Sequence, residues 1–204
     1  MNDRFRTRFA HNKYMVNVAI GFDASRCMKA LASIETDLNQ LASLLTEAQF
    51  HAPPRTGGWS VGYCIEHLVL TGEAFLQQWE IAVKEAAAKH ASGNGCSSYG
   101  WWHRRLLRFL EPPYRLKTKA TQPLVPCSRR PKEDTVRRFF TMHQEFAGKI
   151  ASSRGLDVKR VKIQSPFASW LRYPLGFSFD LALAHERRHL WQAWQVRRQL
   201  MDQL

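Results

Sequence analysis

The sequence predicts an all-α fold, a four-helix bundle with a long, partly helical connection between the second and third helices. Three observations predict it. Four segments repeat apolar residues at helical spacing, and little of the chain reads as strand. Proline- and glycine-bearing stretches separate those segments. The 204 residues are 45% hydrophobic and 12% aromatic, which suits one folded domain with a real core.

The first helix is predicted over 25–50, where Met28, Leu31, Ile34, Leu38, Leu41 and Leu45 share one face. Pro53-Pro54 and Gly57-Gly58 then break the chain. Ser60 is a good N-cap for the second helix, and Trp59 before it is placed to pack on Cys64 as a hydrophobic staple. That helix carries Cys64, His67, Leu68, Thr71, Phe75, Trp79 and Val83 inward and is predicted to end near Ala91. The third, over 133–153, carries Val136, Phe139, His143, Phe146 and Ile150, with Gly155 as its stop. The fourth, over 175–201, sets Leu181, His185, His189, Gln192 and Val196 along one stripe.

Residues 24–204 form the bundle in this reading, and 1–23 an N-terminal arm, with poor order one expectation for it. Residues 92–132 are long for a bundle connection. A short helix is predicted over 99–110, and Trp101-Trp102 suggests that the segment packs on the bundle. A second linker, 156–174, carries Pro166 and Pro174.

The net charge of +13 is unevenly spread. Residues 92–132 hold nine Lys or Arg and one Glu, whereas 60–91 hold four Glu and two Lys. A basic connection attracts anions or nucleic acid, but its simplest reading is a solvated, solubilising loop. Only weak, non-specific nucleic-acid binding is therefore expected. No apolar run approaches the roughly 18–20 residues of a membrane span, and no membrane partner is expected. Cys27, Cys64, Cys96 and Cys127 are scattered, with no CxxC pair, and read as reduced thiols of a cytoplasmic protein.

The chemistry lies with the histidines. His185 and His189 are four apart, one turn apart on one helical face, and two imidazoles so placed reach one ion. His67 lies on the inward stripe of the second helix. Three imidazoles from two helices leave positions open for water or substrate. Against this, an HxxxH pair alone is a weak signal, and a lone inward histidine is more often a hydrogen-bonded core residue. His185-Glu186-Arg187-Arg188-His189 also has the zincin spacing, but no His or Cys follows to supply a third ligand.

Gly58-Trp59-Ser60-Val61-Gly62-Tyr63-Cys64-Ile65-Glu66-His67-Leu68 resembles the second-helix signature of the DinB-like (DinB/YfiT) superfamily. His185-Glu186-Arg187-Arg188-His189-Leu190-Trp191-Gln192 is similar to its last-helix motif, a His-x-x-x-His pair followed by Gln. Phe109 to Tyr114 and Ser165-Pro166-Phe167 look like connections of one branch. The resemblance spans about 25–200. It implies a four-helix bundle, often a homodimer, in which His67, His185 and His189 hold one divalent ion (Zn, Ni, Fe or Mn). It also implies a small-molecule substrate, a low-molecular-weight thiol being one candidate, and thiol transfer or hydrolysis as the reaction.

Three residues are weak catalytic candidates. Cys64 could be a nucleophile, although a small buried residue is the simpler reading. Glu66, like Glu186, adjoins a ligand position but is turned about 100° from it, which favours a solvated face. Arg188, with Arg187, could bind an anionic substrate or face water. His143 reads as a core or supporting histidine, and Trp191 and Trp194 as packing residues. The rival to an enzyme is a nucleic-acid-associated or non-catalytic scaffold that uses 92–132, its metal only structural.

Overall fold

The computed structural model describes residues 19–89, 91–93, 97–113 and 122–202. Four long helices form the bundle: α1 (Ala24–Ser43), α3 (Val61–Ala88), α5 (Lys132–Ser152) and α6 (Leu175–Met201). Two shorter ones, α2 (Glu47–His51) and α4 (Trp101–Leu110), lie in the connections. Among the described residues no helix is long and apolar enough to cross a membrane.

The first predicted helix is two. The chain leaves α1 at Leu44, and Thr46 opens α2 with a capping box. The Thr46 hydroxyl accepts from the Gln49 amide, and the Gln49 side chain accepts from the Thr46 amide. Those reciprocal bonds satisfy helix-end donors and make a fresh start cheaper than a continuous helix. Ser60 caps α3 as expected, its hydroxyl accepting from the Tyr63 amide at 3.2 Å.

The principal packing partners are α3 with α5 and α6, and α1 with α5 and α6. Consecutive long helices α1 and α3 thus sit diagonally, as do α5 and α6. Trp79 of α3 is fully buried between Phe146 of α5 and Phe179 of α6, with ring centroids 4.5 and 4.6 Å away. Its indole N–H donates to the Ser178 hydroxyl at 2.8 Å, so the polar tip is not stranded in the core. Gly72 lets α3 and α5 approach, because a Cβ there would lie 1.8 Å from the Met142 sulfur.

Two small antiparallel sheets lie in segments read from the sequence as arm, connection and linker. β1 (Gly21–Phe22) pairs with β2 (Ser97–Ser98), and Phe22 is buried, so the residues just before α1 pack onto the fold. Residues 1–18 of the expected arm, and Cys96, lie outside the described residues. In the second linker β3 (Lys162–Gln164) pairs with β4 (Arg172–Pro174), burying Ile163 and Tyr173. This linker also supplies the start of α6: the Leu175 and Gly176 amides donate to the Val161 and Val158 carbonyls. These bonds replace the side-chain cap that Pro174 lacks.

The connection between α3 and α5 packs through α4, but not through its tryptophans. Leu107 is buried, and His103 lies 4.5 Å from the Phe177 ring. Trp101 and Trp102, expected against the bundle, are 62% and 72% exposed. The helical period turns both outward once Leu107 faces α6.

Candidate metal centre

His67 lies in the second turn of α3, and His185 and His189 lie mid-way along α6. The packing of α3 on α6 brings their rings together, with centroids 4.6–5.1 Å apart. One ring nitrogen from each lies within 4.8 Å of the other two. His67 and His185 meet through their Nε2 atoms at 3.4 Å. Two nitrogens each about 2.05 Å from one tetrahedral ion stand roughly 3.3 Å apart, so this spacing fits a shared cation.

The outer edges of two rings are engaged. His67 Nδ1–H donates to the Leu124 carbonyl at 2.7 Å, and His189 Nδ1–H donates to the Gln192 side-chain oxygen at 3.0 Å. A donor at Nδ1 leaves the Nε2 lone pair free, the tautomer a cation requires. Burial lowers the pKa of all three. For His185 the neighbours His189, His67 and Arg188 push it further, well below the ordinary range. For His189 burial, His67 and Arg188 bring it to about 3, against the Gln192 hydrogen bond. For His67 burial outweighs the bond to Leu124. At neutral pH the cluster is uncharged and nucleophilic at nitrogen. The donor set and its outer hydrogen bonds fit a divalent ion.

Aromatic rings wall the cluster. Trp59, expected against Cys64, has its ring 4.9 Å from His67 and 5.9 Å from His189. Phe167, carried by the loop between β3 and β4, lies 5.2 Å from His185 and 5.6 Å from Phe75. Neither ring position is visible in a helical period. The Leu124 carbonyl, from a single 3-10 turn at Gln122–Leu124, had no signal at all, since any residue supplies a carbonyl.

The weak catalytic candidates fare differently. Cys64 is fully buried, and burial pushes its thiol pKa far up, so it is a protonated core residue rather than a nucleophile. Glu66 and Glu186 are not on solvated faces: they are 4% and 3% exposed. A turn of 100° away from the ligand stripe points them at α5 instead of water. Glu66 accepts from Arg130 at 3.1 Å and from Arg138. Glu186 Oε1 lies 3.1 Å from His143 Nε2, while His143 Nδ1 lies 3.3 Å from Glu35. The fully buried His143 is thus held between two carboxylates and supports α6 one residue from His185. Burial works to lower its pKa, but Glu186 and Glu35 raise it.

The arginines of the last-helix motif also face protein. Arg187 forms a two-pronged ion pair with Glu111, its Nε donating at 2.9 Å. Arg188 is 3% exposed and donates to the Phe109 carbonyl at 3.3 Å. Its charge is felt by both His185 and His189. Trp194 is a packing residue whose indole also donates to Asp37 at 2.9 Å.

No curated protein matches the chain in sequence. Among solved structures the chain is similar to YfiT from Bacillus subtilis, described as "a probable metal-dependent hydrolase with an unusual four-helix bundle topology". That likeness has a TM-score of 0.57 at 14% identity and covers 87% of each chain. The sequence signature of one family, the DinB superfamily, matches residues 30–193, a span that includes all three histidines of the cluster. The chain belongs to the DinB superfamily.

Proposed function

We propose that the protein is a metal-dependent enzyme acting on a small molecule, with one divalent ion held by His67, His185 and His189. The observation that carries this is the state of the three imidazoles. They converge within 4.8 Å, burial lowers the pKa of each, and two have their Nδ1 atoms occupied by acceptors. A structural core histidine has no need of two such neighbours. Zn, Ni, Fe and Mn all accept imidazole, and the donor set does not choose among them. Bound there, the cation supplies Lewis acidity and a nucleophile at neutral pH.

The chain's own residues do the rest. Leu124 and Gln192 hold two rings in register. Trp59 and Phe167 exclude water from the flanks, which strengthens electrostatics inside. Arg188 adds fixed positive charge beside the cluster and favours an anionic substrate or nucleophile. Hydrolysis is the leading reaction class, supported by the description of YfiT. Transfer of a low-molecular-weight thiol is the second, and a buried Cys64 means that the thiol comes from outside. A homodimer is part of this proposal. Binding of nucleic acid through the basic connection is proposed as weak and salt-sensitive.

Elemental analysis of the purified protein tests the reading. Stoichiometric metal is expected in the parent chain, and loss of most of it in His67→Ala, His185→Ala and His189→Ala. Folded His143→Ala should keep its metal, since its nitrogens serve Glu35 and Glu186. Stoichiometric metal in His185→Ala overturns the assignment.

A further inference from the structure

Among the described residues the outward face of α4 touches the bundle only at Phe109, whose ring centroid lies 5.7 Å from the Arg188 guanidinium. It carries Trp101, Trp102 and Phe109, 62%, 72% and 41% exposed, together with exposed Arg104, Arg105 and Arg108. The helix itself contains no acidic residue. Ile20 is 75% exposed beside its N-terminal end, where the Ile20 carbonyl accepts from the Tyr99 amide. Leu107 and His103 anchor the opposite face, so the helix is held with these side chains outward. A surface that exposes two tryptophans, a phenylalanine and an isoleucine among three arginines bears an unrelieved solvation cost unless something covers it.

We propose that this face docks on an anionic lipid bilayer, with α4 lying in the plane of the headgroups. Tryptophan rings suit that layer, having an apolar body and one polar N–H. The Arg105 guanidinium lies 5.5 Å from the Trp101 ring centroid, and the ring offsets part of the hydration the arginine loses at an interface. A row of arginines without acids is complementary to anionic headgroups, and each adds about fivefold to partitioning. No spanning segment is required, because an interfacial helix inserts only one face.

The same chemistry suits the two rival occupants less well. A single nucleic-acid strand stacks on open, aligned rings along a basic groove. Here Arg105 covers one face of Trp101, and Trp102 meets it edge-on at 61°. Ile20 and Phe109 also offer a strand little. A second copy docking symmetrically would set Arg104, Arg105 and Arg108 against their own images.

The experiment is co-sedimentation of the full chain with sucrose-loaded vesicles at about 0.15 M salt. Vesicles of phosphatidylcholine alone are compared with vesicles that also contain phosphatidylglycerol. The expected result is binding to the anionic vesicles at least tenfold above the neutral ones. W101A/W102A should lose tenfold or more. R104Q/R105Q/R108Q should lose about a hundredfold, the product of three fivefold terms. Helical circular dichroism and metal content should be unchanged in both, since the replaced side chains point to solvent. Absence of binding overturns the proposal, as does binding that neither variant weakens. Tight binding of a thymidine oligonucleotide at this salt without vesicle binding overturns it in favour of nucleic acid. A concentration-dependent dimer abolished by W101A/W102A, again without vesicle binding, overturns it in favour of self-association.

Discussion

His143 shows how one residue's chemistry is set by its neighbours. Alone on a helical stripe it reads as a core histidine, and it is fully buried. Glu186 and Glu35 turn it into a buried cation site, with a pKa raised above the ordinary value of about 6.5. A group whose folded pKa is raised contributes stability that is fully present below about pH 6.5. That contribution is lost as pH rises through the folded pKa. Each unit of the rise is worth about 1.4 kcal/mol. The cluster imidazoles have lowered values and act with the opposite sign, costing stability as pH falls below about 6.5. Their effect cancels in a difference between wild type and His143→Gln. Urea unfolding should therefore show the wild type losing its advantage over His143→Gln as pH rises above about 6.5. A difference that is flat or grows with pH would show that His143 is buried neutral.

At the scale of the element, the helices were legible where end signals and period agree. Ser60 stands before an apolar stripe, and its hydroxyl caps α3. Ser60→Ala should cost about 0.5–2 kcal/mol in thermal unfolding, while the folded variant keeps its histidine cluster. An unmoved melting temperature would mean that another group satisfies the Tyr63 amide. The break between α1 and α2 was readable in principle, since Thr46-Glu47-Ala48-Gln49 has the capping-box spacing. It was hidden because Leu41 and Leu45 continue the apolar period across the break. The two sheets were not readable, because strands of two or three residues are too short to display alternation. Glu66 and Glu186 illustrate a further limit. Periodicity shows that a residue leaves the main stripe, but not whether water or a third helix waits there.

At the scale of the molecule, the peripheral pieces are fastened by one buried carboxylate. Asp180 of α6 is 2% exposed and accepts from both terminal nitrogens of Arg26, at 2.6 and 2.7 Å, and from the Tyr99 hydroxyl. Arg26 also donates to the Gly21 carbonyl at 2.8 Å. The network joins α1, the strand before it, the entry to α4 and the helix that carries His185 and His189. Arg26→Met would leave the Asp180 carboxylate buried with only the Tyr99 hydroxyl and the weakly donating Cys27 thiol as partners. The expected loss is about 3 kcal/mol, the low end for a broken buried pair because the Arg26 side chain is 39% exposed. That corresponds to roughly 6–12 °C in a chain of this size. Stability within about 0.5 kcal/mol of wild type would show that the N-terminal strand is held by Phe22 packing instead.

The sequence by itself determined the class of fold, the four long helices and the three histidines, because these depend on period, caps and spacing within single segments. Four-residue spacing put His185 and His189 on one face whatever lay opposite. The tertiary structure decided everything that joins segments distant in the chain. It placed α1 and α3 on a diagonal and set His67 against the pair on α6. It brought the Leu124 carbonyl, Trp59 and Phe167 around the rings. It buried Glu66 and Glu186 and turned Trp101 and Trp102 outward. The physical reason is that a helix specifies its own faces locally, whereas the neighbour each face meets follows from how the long connections close.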